Sequence, residues 1–291
     1  MSFLCVIEML EETNYFSHSP IDEPKQLCYN IIIHKRNGKF MKILGSDYDG
    51  TLTQGGINEA KIAIIQKWRD SGNRFGIVSG RGWTFRETLQ QSFPALELDF
   101  FVACNGAYIT DDTGAIIYEA KCNTLPAYQL INDLLAWNCK FIHVNGKEYI
   151  CLVEAIENLR YPVPMEHIRL LKNAPPIEYF HQISVELLTI EEAAAVTKKI
   201  RQKYGKWLTP LQNGICIDIV PVGVNKAQGL YRVMEFFNCK HEDVITVGDN
   251  LNDMDMIREF YSYAMQNAVP EIQRCANELV GDVTEIIEKE L

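Results

Sequence analysis

From residue 41 onward, short apolar runs alternate with stretches in which apolar residues recur every three or four positions. Short apolar runs are typical of strands, and the longer periodic stretches are typical of amphipathic helices. This alternation predicts strands at 42–46, 74–78 and 99–103, a helix between Asn58 and Gly72, a helix at 83–93, and a hairpin at 108–118 turning at 111–114. Strands separated by helices indicate βαβ units and therefore a parallel sheet.

The pattern changes between residues 122 and 220, where hairpin signals replace the regular strand–helix alternation. Asn145-Gly146 and Asn213-Gly214 each lie between two apolar runs, which is typical of a tight hairpin turn. The predicted elements are helices at 125–137, 164–173 and 190–204, and strands at 141–144, 148–153, 179–188, 207–211 and 215–220. Their order predicts an inserted α+β domain with an antiparallel sheet.

After residue 221 the alternation of strands and helices returns. It predicts helices at 227–237 and 253–259 and a strand at 244–247, and three further elements at 261–265, 270–276 and 283–289 complete the chain. We therefore predict an α/β fold with two domains. Residues 41–121 and 221–291 form a Rossmann-like core with a parallel sheet, and residues 122–220 form an inserted α+β cap domain.

Residues 1–40 contain short apolar pieces and two prolines, Pro20 and Pro24, but no sustained period. One interpretation is a poorly ordered N-terminal extension, or a native start at Met41. The other is an additional strand at 29–34 that joins the core. We favour the extension.

The composition narrows the classes of function. The chain has 291 residues, of which 47% are hydrophobic, so it can bury the cores of two domains. Its formal net charge of −10 argues against a nucleic-acid partner, which would favour a basic surface. A phosphorylated substrate stays compatible with this charge, because basic side chains and a metal can set a local field inside a cleft.

The cysteines and the apolar runs predict the cellular setting. Nine cysteines, an odd number without a Cys-x-x-Cys pair, argue against a zinc site or a disulfide framework and suit a reducing cytoplasm. No apolar run approaches the roughly 18 residues of a membrane helix, and the N-terminus lacks the basic region and cleavage site of a signal peptide. We predict a cytoplasmic protein without a membrane partner. The sequence has no signal for the oligomeric state.

Two carboxylates follow the first predicted strand. Asp47 and Asp49 end the apolar run and are followed by Gly50 and Thr51. The carboxyl ends of strands in open α/β sheets are where ligands bind. Two like charges this close are costly unless a cation or a proton offsets them. The pair therefore predicts chemistry at this edge of the sheet, with a metal ion.

Three further polar segments follow strands or begin helices. They are Ser79-Gly80-Arg81 after the second strand, Lys226 at the start of a helix, and the loop from Gly248 to Asp253 after the strand at 244–247. Ser79 and the backbone near Gly80 can donate hydrogen bonds to a phosphate. Asp249 would lie at the same edge as Asp47, and carboxylate and carbonyl oxygens are the ligands that Mg²⁺ prefers. Lys226 could neutralise a phosphate or the carboxylates.

These four segments, in this order, resemble the haloacid dehalogenase superfamily, whose members are mostly phosphatases. The resemblance covers about residues 41–291. The size and order of the insert are similar to the Cof-type branch (subfamily IIB), which has a large α/β cap. Asn105-Gly106-Ala107 and the segment from Ala264 to Ala268 also resemble this branch.

The resemblance implies a role for each residue of the four segments. Asp47 would be the nucleophile that forms an aspartyl-phosphate, and Asp49 would be the general acid and base. The implied Mg²⁺ ligands are Asp47, Asp49 and Asp249. The implied phosphate contacts are Thr51, Ser79, Gly80, Lys226 and Asn252, and Lys226 also offsets the charge of the phosphoryl group. Asp253 would orient its neighbours, and Arg81 and Asn105 are further candidates, although Asn105 is equally compatible with a simple turn.

Three positions depart from the family pattern. Three histidines of the insert are also candidates for contact with the substrate. Tyr48 stands where leucine is commoner, Ala227 and Gln266 stand where glycine is frequent, and the change at Gln266 leaves the role of Asn267 open. His143, His167 and His181 lie in the insert, and we expect none of them to face the substrate.

We therefore expect a Mg²⁺-dependent phosphatase that acts on small phosphorylated metabolites, with sugar phosphates as the first choice. One alternative is a phosphomutase or phosphotransferase, which passes the phosphoryl group to another hydroxyl. The other is a binding or regulatory protein without turnover, which is disfavoured because Asp47, Asp49, Lys226 and Asp249 are all present.

Overall fold

The computed structural model describes residues 41–153, 163–173 and 176–291. The predicted extension at 1–40, with the alternative strand at 29–34, lies outside these described residues. Among the helices described, none has the length and apolar character needed to cross a membrane.

Strands and helices alternate at both ends of the described chain, and strands predominate in its middle. The strands are β1 (Ile43–Ser46), β2 (Arg74–Val78), β3 (Phe100–Ala103), β4 (Tyr108–Asp111), β5 (Ile116–Glu119), β6 (Cys122–Asn123), β7 (Lys140–Gly146), β8 (Ile150–Leu152), β9 (Ile168–Leu170), β10 (Tyr179–Glu186), β11 (Leu208–Asn213), β12 (Cys216–Pro221), β13 (Val244–Gly248), β14 (Tyr261–Met265) and β15 (Glu278–Val280). The helices are α1 (Glu59–Asp70), α2 (Phe85–Ser92), α3 (Thr124–Ala136), α4 (Ile190–Tyr204), α5 (Lys226–Phe237), α6 (Met254–Glu259), α7 (Pro270–Cys275) and α8 (Val283–Glu290).

The first sheet has the strand order β15-β14-β13-β1-β2-β3-β4-β5. Its strands are parallel from β15 to β3, and β4 and β5 add the predicted antiparallel hairpin. Every residue of β1 is buried, as expected for a central strand of a parallel sheet with helices on both faces. Because β1 pairs with β13 on one side and β2 on the other, the carboxyl ends of these three strands meet at one edge. The predicted α/β fold with a parallel sheet is thus confirmed.

Helix α1 shows how local sequence sets the elements of this sheet. The Asn58 side chain accepts a hydrogen bond of 3.0 Å from the Lys61 amide and so caps the first turn. Trp68 is fully buried, and its indole N–H donates to the carbonyl of Arg74 at 2.9 Å. Gly72 has a φ of +93°, which lets the chain reverse after the helix and enter β2.

The second sheet has the order β11-β12-β10-β7-β8-β9, with β6 also paired to β10. Its pairs are antiparallel except for β8 with β9. Side chains alternate between the two faces of a strand. Ile183 and Val185 of β10 therefore pack into a hydrophobic cluster with α3 and α4, whereas Gln182, Ser184 and Glu186 lie on the opposite face.

The chain crosses between the two sheets twice, once between β5 and β6 and once between β12 and α5. In the first crossing, the Ala120 amide donates to the carbonyl of Ala107 at 2.7 Å, and the Ala120 carbonyl accepts from Nδ1 of His181 at 2.9 Å. In the second, the Val222 amide donates to the carbonyl of Trp207 at 2.8 Å. A backbone hydrogen bond and the His181 side chain thus hold the first crossing to both sheets, and a backbone hydrogen bond holds the second crossing to the residue before β11.

The helix predicted at 164–173 is wrong within the described residues. A single turn at Met165–His167 leads into β9, and a second turn follows at Leu171–Asn173. β9 pairs with β8, and its Ile168 packs against Ile150 and Leu152. Strand pairing and this small apolar cluster prevail over the local helical pattern, because they satisfy the backbone of β8 on its outer side.

The hairpin predicted to turn at Asn145-Gly146 turns later in the chain. β7 continues through Gly146, whose amide donates to the carbonyl of Tyr149 at 3.0 Å, so that the turn lies at 147–148. The carbonyl of Gly146 accepts a hydrogen bond from the indole N–H of Trp83 at 3.0 Å. This contact with Trp83, which precedes α2, helps to keep Gly146 in β7. Asn145 is therefore part of the strand and not of the turn.

The other predicted elements occur within two residues of their predicted bounds, and the predictions at 74–78 and 190–204 coincide with β2 and α4. β15 was not predicted. It has only three residues, Glu278 to Val280, and its middle residue is exposed, so it has no recognisable period.

We predict that the cluster between the second sheet and its helices stabilises the fold through close packing. Leu130→Ala should lower the free energy of unfolding by about 2–5 kcal/mol, because Leu130 is fully buried and the change leaves a cavity. Leu188→Ala is the matched control: this leucine is 79% exposed, and its removal should change stability by less than about 0.5 kcal/mol. Denaturant unfolding measures both, and equal effects would contradict the assignment of the cluster.

Candidate active site

Asp47 and Asp249 lie side by side because their strands are neighbours. Ser46 of β1 is in register with Val247 of β13, and the Asp47 amide donates to the Val247 carbonyl at 2.9 Å. Asp47 is only 5% exposed. Each aspartate follows the last paired residues of its strand, so both carboxylates lie at the same edge of the sheet.

The turn after Asp47 is shaped to meet Asp249. Gly50 has a φ of +75°, and a Cβ at this position would collide with the Asp249 carboxylate, so only glycine fits here. The Thr51 hydroxyl donates to Oδ1 of Asp249 at 3.1 Å. The side-chain amide of Asn267, whose role the sequence left open, donates to the Gly50 carbonyl at 3.0 Å. The turn and the β13 loop are thereby joined.

Lys226 is a fully buried cation between two carboxylates. It begins α5, which Asn225 caps by accepting from the Gln228 amide at 2.8 Å. Its Nζ lies 2.6 Å from Oδ1 of Asp47 and 2.5 Å from Oδ1 of Asp253. Burial alone would lower the pKa of Lys226, but the negative charges of Asp253 and Asp47 together raise it, so the side chain stays charged.

Asp253 joins Lys226 to the loop that carries Asp249. Its second oxygen, Oδ2, accepts hydrogen bonds from the amides of Asp249 at 3.0 Å and Asn250 at 3.1 Å. Asp253 is fully buried. Its position agrees with the predicted orienting role, since one carboxylate fixes both the cation and the backbone of the loop.

The carboxylates at this edge form a cluster with the composition of a metal site. One oxygen from each of Asp47, Asp249 and Asp253 lies within 4.8 Å of the other two. Burial, followed by the charge of Asp253, raises the pKa of Asp47 well above its usual range, and the same causes raise the pKa of Asp249 to about 6. Three acids share one neighbouring cation, Lys226. A hard divalent cation such as Mg²⁺ would offset this excess of negative charge and fits these oxygen ligands.

Asp49 lies apart from this cluster and is held by Arg81. The guanidinium donates twice to the carboxylate, from Nε to Oδ2 at 2.8 Å and from a terminal nitrogen to Oδ1 at 2.7 Å. The same guanidinium lies 4.3 Å from the ring centroid of Phe85 and 5.1 Å from that of Tyr48. The aromatic Tyr48 thus supports Arg81, a contact that a leucine would not supply in this form.

Ser79 and Gly80 form a turn next to the carboxylates. Ser79 is 1% exposed, and its hydroxyl oxygen accepts a hydrogen bond from the Arg81 amide at 3.1 Å. Asn105 lies behind this turn in the left-handed conformation, with a φ of +53°. Its side-chain nitrogen donates to Gln182 at 3.0 Å and Asp218 at 2.9 Å, both in the second sheet. Asn105 therefore forms a turn and also contacts the second sheet.

A cavity of about 380 Å³ lies between the edge of the first sheet that carries Asp47 and Asp249 and the facing side of the second sheet. From the first sheet's side it is lined by Asp47, Asp49, Gly50, Ser79, Gly80, Arg81, Gly82, Thr84, Phe85, Asp249, Asn250 and Asn252. From the second sheet's side it is lined by Phe141, His143, Asn145, Ile150, Val163, Gln182, Ser184, Val185, Glu186, Asn213, Cys216 and Asp218. The predicted residues of the four segments thus meet around one space, with Lys226, Thr51 and Asp253 buried beside it.

The sequence did not predict which residues of the insert line this cavity. His143 is one of them, and burial lowers its pKa to about 4, so its imidazole is neutral near pH 7. His181 lies instead at the first crossing, and His167 pairs with Glu87 at 3.3 Å. The sequence signal for the cavity-lining residues of β10 was the alternation of polar and apolar side chains along this strand. The same alternation is typical of a strand with one face in solvent, so it could not identify them.

Comparison with known proteins places this arrangement in a family. The model of the haloacid dehalogenase-like hydrolases matches residues 44–286. An Escherichia coli phosphatase of 5-amino-6-(5-phospho-D-ribitylamino)uracil is 24% identical over 265 residues, covering 86% of this chain and 96% of the relative. An Escherichia coli pyridoxal phosphate phosphatase is 26% identical over 269 residues, covering 84% of this chain and 94% of the relative.

A solved structure has the same fold. A haloacid dehalogenase-like hydrolase from B. subtilis superposes with a TM-score of 0.75 at 17% identity, and the match covers 86% of this chain and all of that structure (100%).

We expect Asp249→Asn to stabilise the metal-free protein more near neutral pH than in acid. A carboxyl whose folded-state pKa is raised, here to about 6 from 3.8, gives its full stabilisation below the unfolded pKa and loses it as the pH rises through the folded pKa. The asparagine does not titrate. The Tm of the variant minus that of the wild type, measured without divalent cations, should therefore grow from about pH 4 to about pH 7.

A Mg²⁺ ion bound at Asp249 would reverse this difference near neutral pH, because it would stabilise the protein that retains the Asp249 carboxylate more than the variant. Asp255→Asn, at an exposed position of α6, is the control for loss of one negative charge. A Tm difference that does not vary with pH would show that folding does not raise the pKa of the Asp249 carboxyl.

Proposed function

The chain belongs to the haloacid dehalogenase-like hydrolases, and on this premise we propose that it is a Mg²⁺-dependent phosphatase of small phosphorylated metabolites, with sugar phosphates as the first candidates. The resemblance to the Cof-type branch and the hydrolysis of phosphate monoesters, both expected from the sequence, are confirmed by the family match and the phosphatase relatives. The ion pair of Lys226 with Asp47, beside the Ser79-Gly80 turn, is the observation that supports the proposed mechanism most directly.

Asp47 is the proposed nucleophile. Its carboxylate attacks phosphorus, the ester oxygen leaves with its electron pair, and Asp47 carries the phosphoryl group as an aspartyl-phosphate. Lys226 is 2.6 Å from this carboxylate and is buried, so its charge acts on the transferring group with little screening by water. In the second step water attacks phosphorus and Asp47 leaves as a carboxylate.

Asp49 is the proposed general acid and base. It gives a proton to the leaving alcohol in the first step and takes one from the attacking water in the second. Its side chain is 55% exposed and lines the cavity, so both the alcohol and the water can reach it. Arg81 fixes its orientation through two parallel hydrogen bonds.

Asp47, Asp249 and the backbone carbonyl of Asp49 are the proposed ligands of Mg²⁺. When bound, the ion would offset the negative charge of the carboxylates and of the phosphate. Thr51, which donates to Asp249, would orient this ligand. The phosphate itself would contact Ser79, the backbone near Gly80, Lys226 and Asn252.

We propose that residues 122–220 act as a cap that encloses the substrate. The second sheet contacts the first through the Gly146 carbonyl, which accepts from Trp83, and through Gln182, which donates to the Gly80 carbonyl at 2.7 Å. Because the cavity lies between the two sheets, a cap in this position excludes water and contacts the leaving group. The cap face would therefore set the substrate preference.

Asp47→Asn should abolish Mg²⁺-dependent release of phosphate from an aryl phosphate, with a loss in kcat of at least about 10³-fold, because the amide cannot form the acyl-phosphate. Asp255→Asn is the matched control and should keep wild-type turnover. Both are assayed by phosphate release with Mg²⁺ and with chelator. Turnover of Asp47→Asn near the wild-type rate would refute the mechanism.

A panel of phosphorylated metabolites, assayed with and without Mg²⁺, tests the substrate class. Sugar phosphates are expected to be hydrolysed with higher kcat/KM than the aryl phosphate, because the cavity has polar groups for their hydroxyls. Product formation that requires an added alcohol would indicate phosphotransfer instead. Binding of the metabolites without any turnover would indicate a binding protein.

A further inference from the structure

The turn at Ser79-Gly80-Arg81 is held from two sides. On the side of the first sheet, the Ser79 carbonyl accepts from the Asn105 amide at 3.0 Å, and the Arg81 carbonyl accepts from the Cys104 amide at 2.8 Å. The Gly80 carbonyl between them instead accepts from the side-chain nitrogen of Gln182, in the second sheet, at 2.7 Å. The middle peptide of the turn therefore takes its orientation from the insert.

This peptide also determines what the Ser79 hydroxyl can do. A peptide unit is planar, so the Gly80 carbonyl and the Arg81 N–H turn together. With the carbonyl on Gln182, the Arg81 N–H donates to the hydroxyl oxygen of Ser79 at 3.1 Å. An oxygen that already accepts from Arg81 keeps its own hydrogen available as a donor. Ser79 is thus prepared to donate to a phosphate oxygen.

The orientation of Gln182 is fixed by its neighbours. The Ser184 hydroxyl donates to Asp218 at 2.7 Å, so it must accept from the Gln182 nitrogen at 2.9 Å. The Asn105 nitrogen donates to the Gln182 oxygen at 3.0 Å. These two contacts leave one arrangement of the amide, with its NH₂ group toward Gly80. Gln182 is only 1% exposed, so water does not compete for these bonds.

Gly80 is the residue that allows this approach. A Cβ at Gly80 would lie 2.8 Å from Oδ2 of Asp218 and 3.1 Å from the side-chain nitrogen of Asn105. A larger residue at Gly80 would require the Asp218 and Asn105 side chains to shift, which would disturb their hydrogen bonds. The contact between the turn and the second sheet therefore depends on a glycine at position 80 as well as on Gln182.

We propose that Gln182 is a positioning residue for phosphate binding, which orients the Gly80–Arg81 peptide and through it the Ser79 hydroxyl, so that the phosphate subsite is complete only when the insert lies against the core. This inference rests on the proposed phosphatase function, in which Ser79 contacts the phosphate. It adds that phosphate affinity and closure of the insert are coupled. A phosphate held in the subsite stabilises the closed arrangement, and an open arrangement binds phosphate weakly.

Gln182→Glu tests the inference with almost no change in size. The glutamate keeps an oxygen toward Asn105 but loses the donor to Gly80. The inhibition constant of inorganic phosphate, measured against hydrolysis of an aryl phosphate by the full-length Mg²⁺-loaded protein, should rise about tenfold, the factor equivalent to about 1.4 kcal/mol. The KM of the aryl phosphate should rise by a similar factor, because this substrate depends on its phosphate group for binding. Gln182→Leu, which is neutral, should give the same result.

Gln212→Leu is the matched control. Gln212 lies in the same sheet and donates to the backbone carbonyls of Ile190 at 3.2 Å and Gly214 at 3.0 Å, away from the cavity. It should leave all constants unchanged. The Mg²⁺ concentration for half-activation should also stay unchanged in the Gln182 variants, which separates a local effect on phosphate from general damage to the site.

An unchanged inhibition constant in an active Gln182 variant would overturn the inference and leave the proposed function intact. Loss of phosphate and Mg²⁺ affinity together would also overturn it, since it would indicate a structural role. If the wild type shows no Mg²⁺-dependent hydrolysis, the proposed function fails, and this inference fails with it.

Discussion

The arrangement of carboxylates at the edge of the first sheet depends on one buried cation. Lys226 has no exposed surface and contacts Asp47 and Asp253, which belong to distant parts of the chain. A buried charge is tolerated only when it is paired and hydrogen-bonded, so the start of α5, the end of β1 and the loop after β13 must meet at Lys226. Asp253 then fixes the amides around Asp249. The same contact that places the proposed nucleophile thus also places the candidate metal ligand.

The two sheets contribute different properties to the cavity. The parallel sheet is buried on both faces, and its polar side chains are concentrated at the carboxyl ends of β1, β2 and β13. The second sheet is apolar on the face that α3 and α4 cover, and it lines the cavity with both polar and apolar side chains. The cleft therefore combines a carboxylate-rich edge with a mixed wall whose side chains can vary with little effect on either core.

Much of the fold and of the reactive edge could be predicted from the sequence, because the evidence for them is local. An apolar run that ends in Asp47 and Asp49 is visible without any partner, and so are the caps of α1 and α4. The insert side of the cavity could not be predicted. Gln182 and Asp218 contact Gly80 and Asn105 only through tertiary structure, and an alternating strand with a polar face is equally typical of a sheet that faces water. The prediction of a helix in place of β9 was wrong for the same reason, since the pairing of β9 with β8 leaves no local signal in the sequence.

The two crossings between the sheets limit how the molecule can move. Both connections are short, and hydrogen bonds hold Ala120 to Ala107 and His181, and Val222 to Trp207. Two attachments leave rotation about the line that joins them as the soft degree of freedom and resist sliding or twisting of one sheet over the other. During such a rotation, side chains far from this axis would travel furthest, whereas His181, which contacts Ala120 at one of the crossings, would move least. The second sheet would therefore rotate away from the first as a unit, with the smallest displacement near the two crossings.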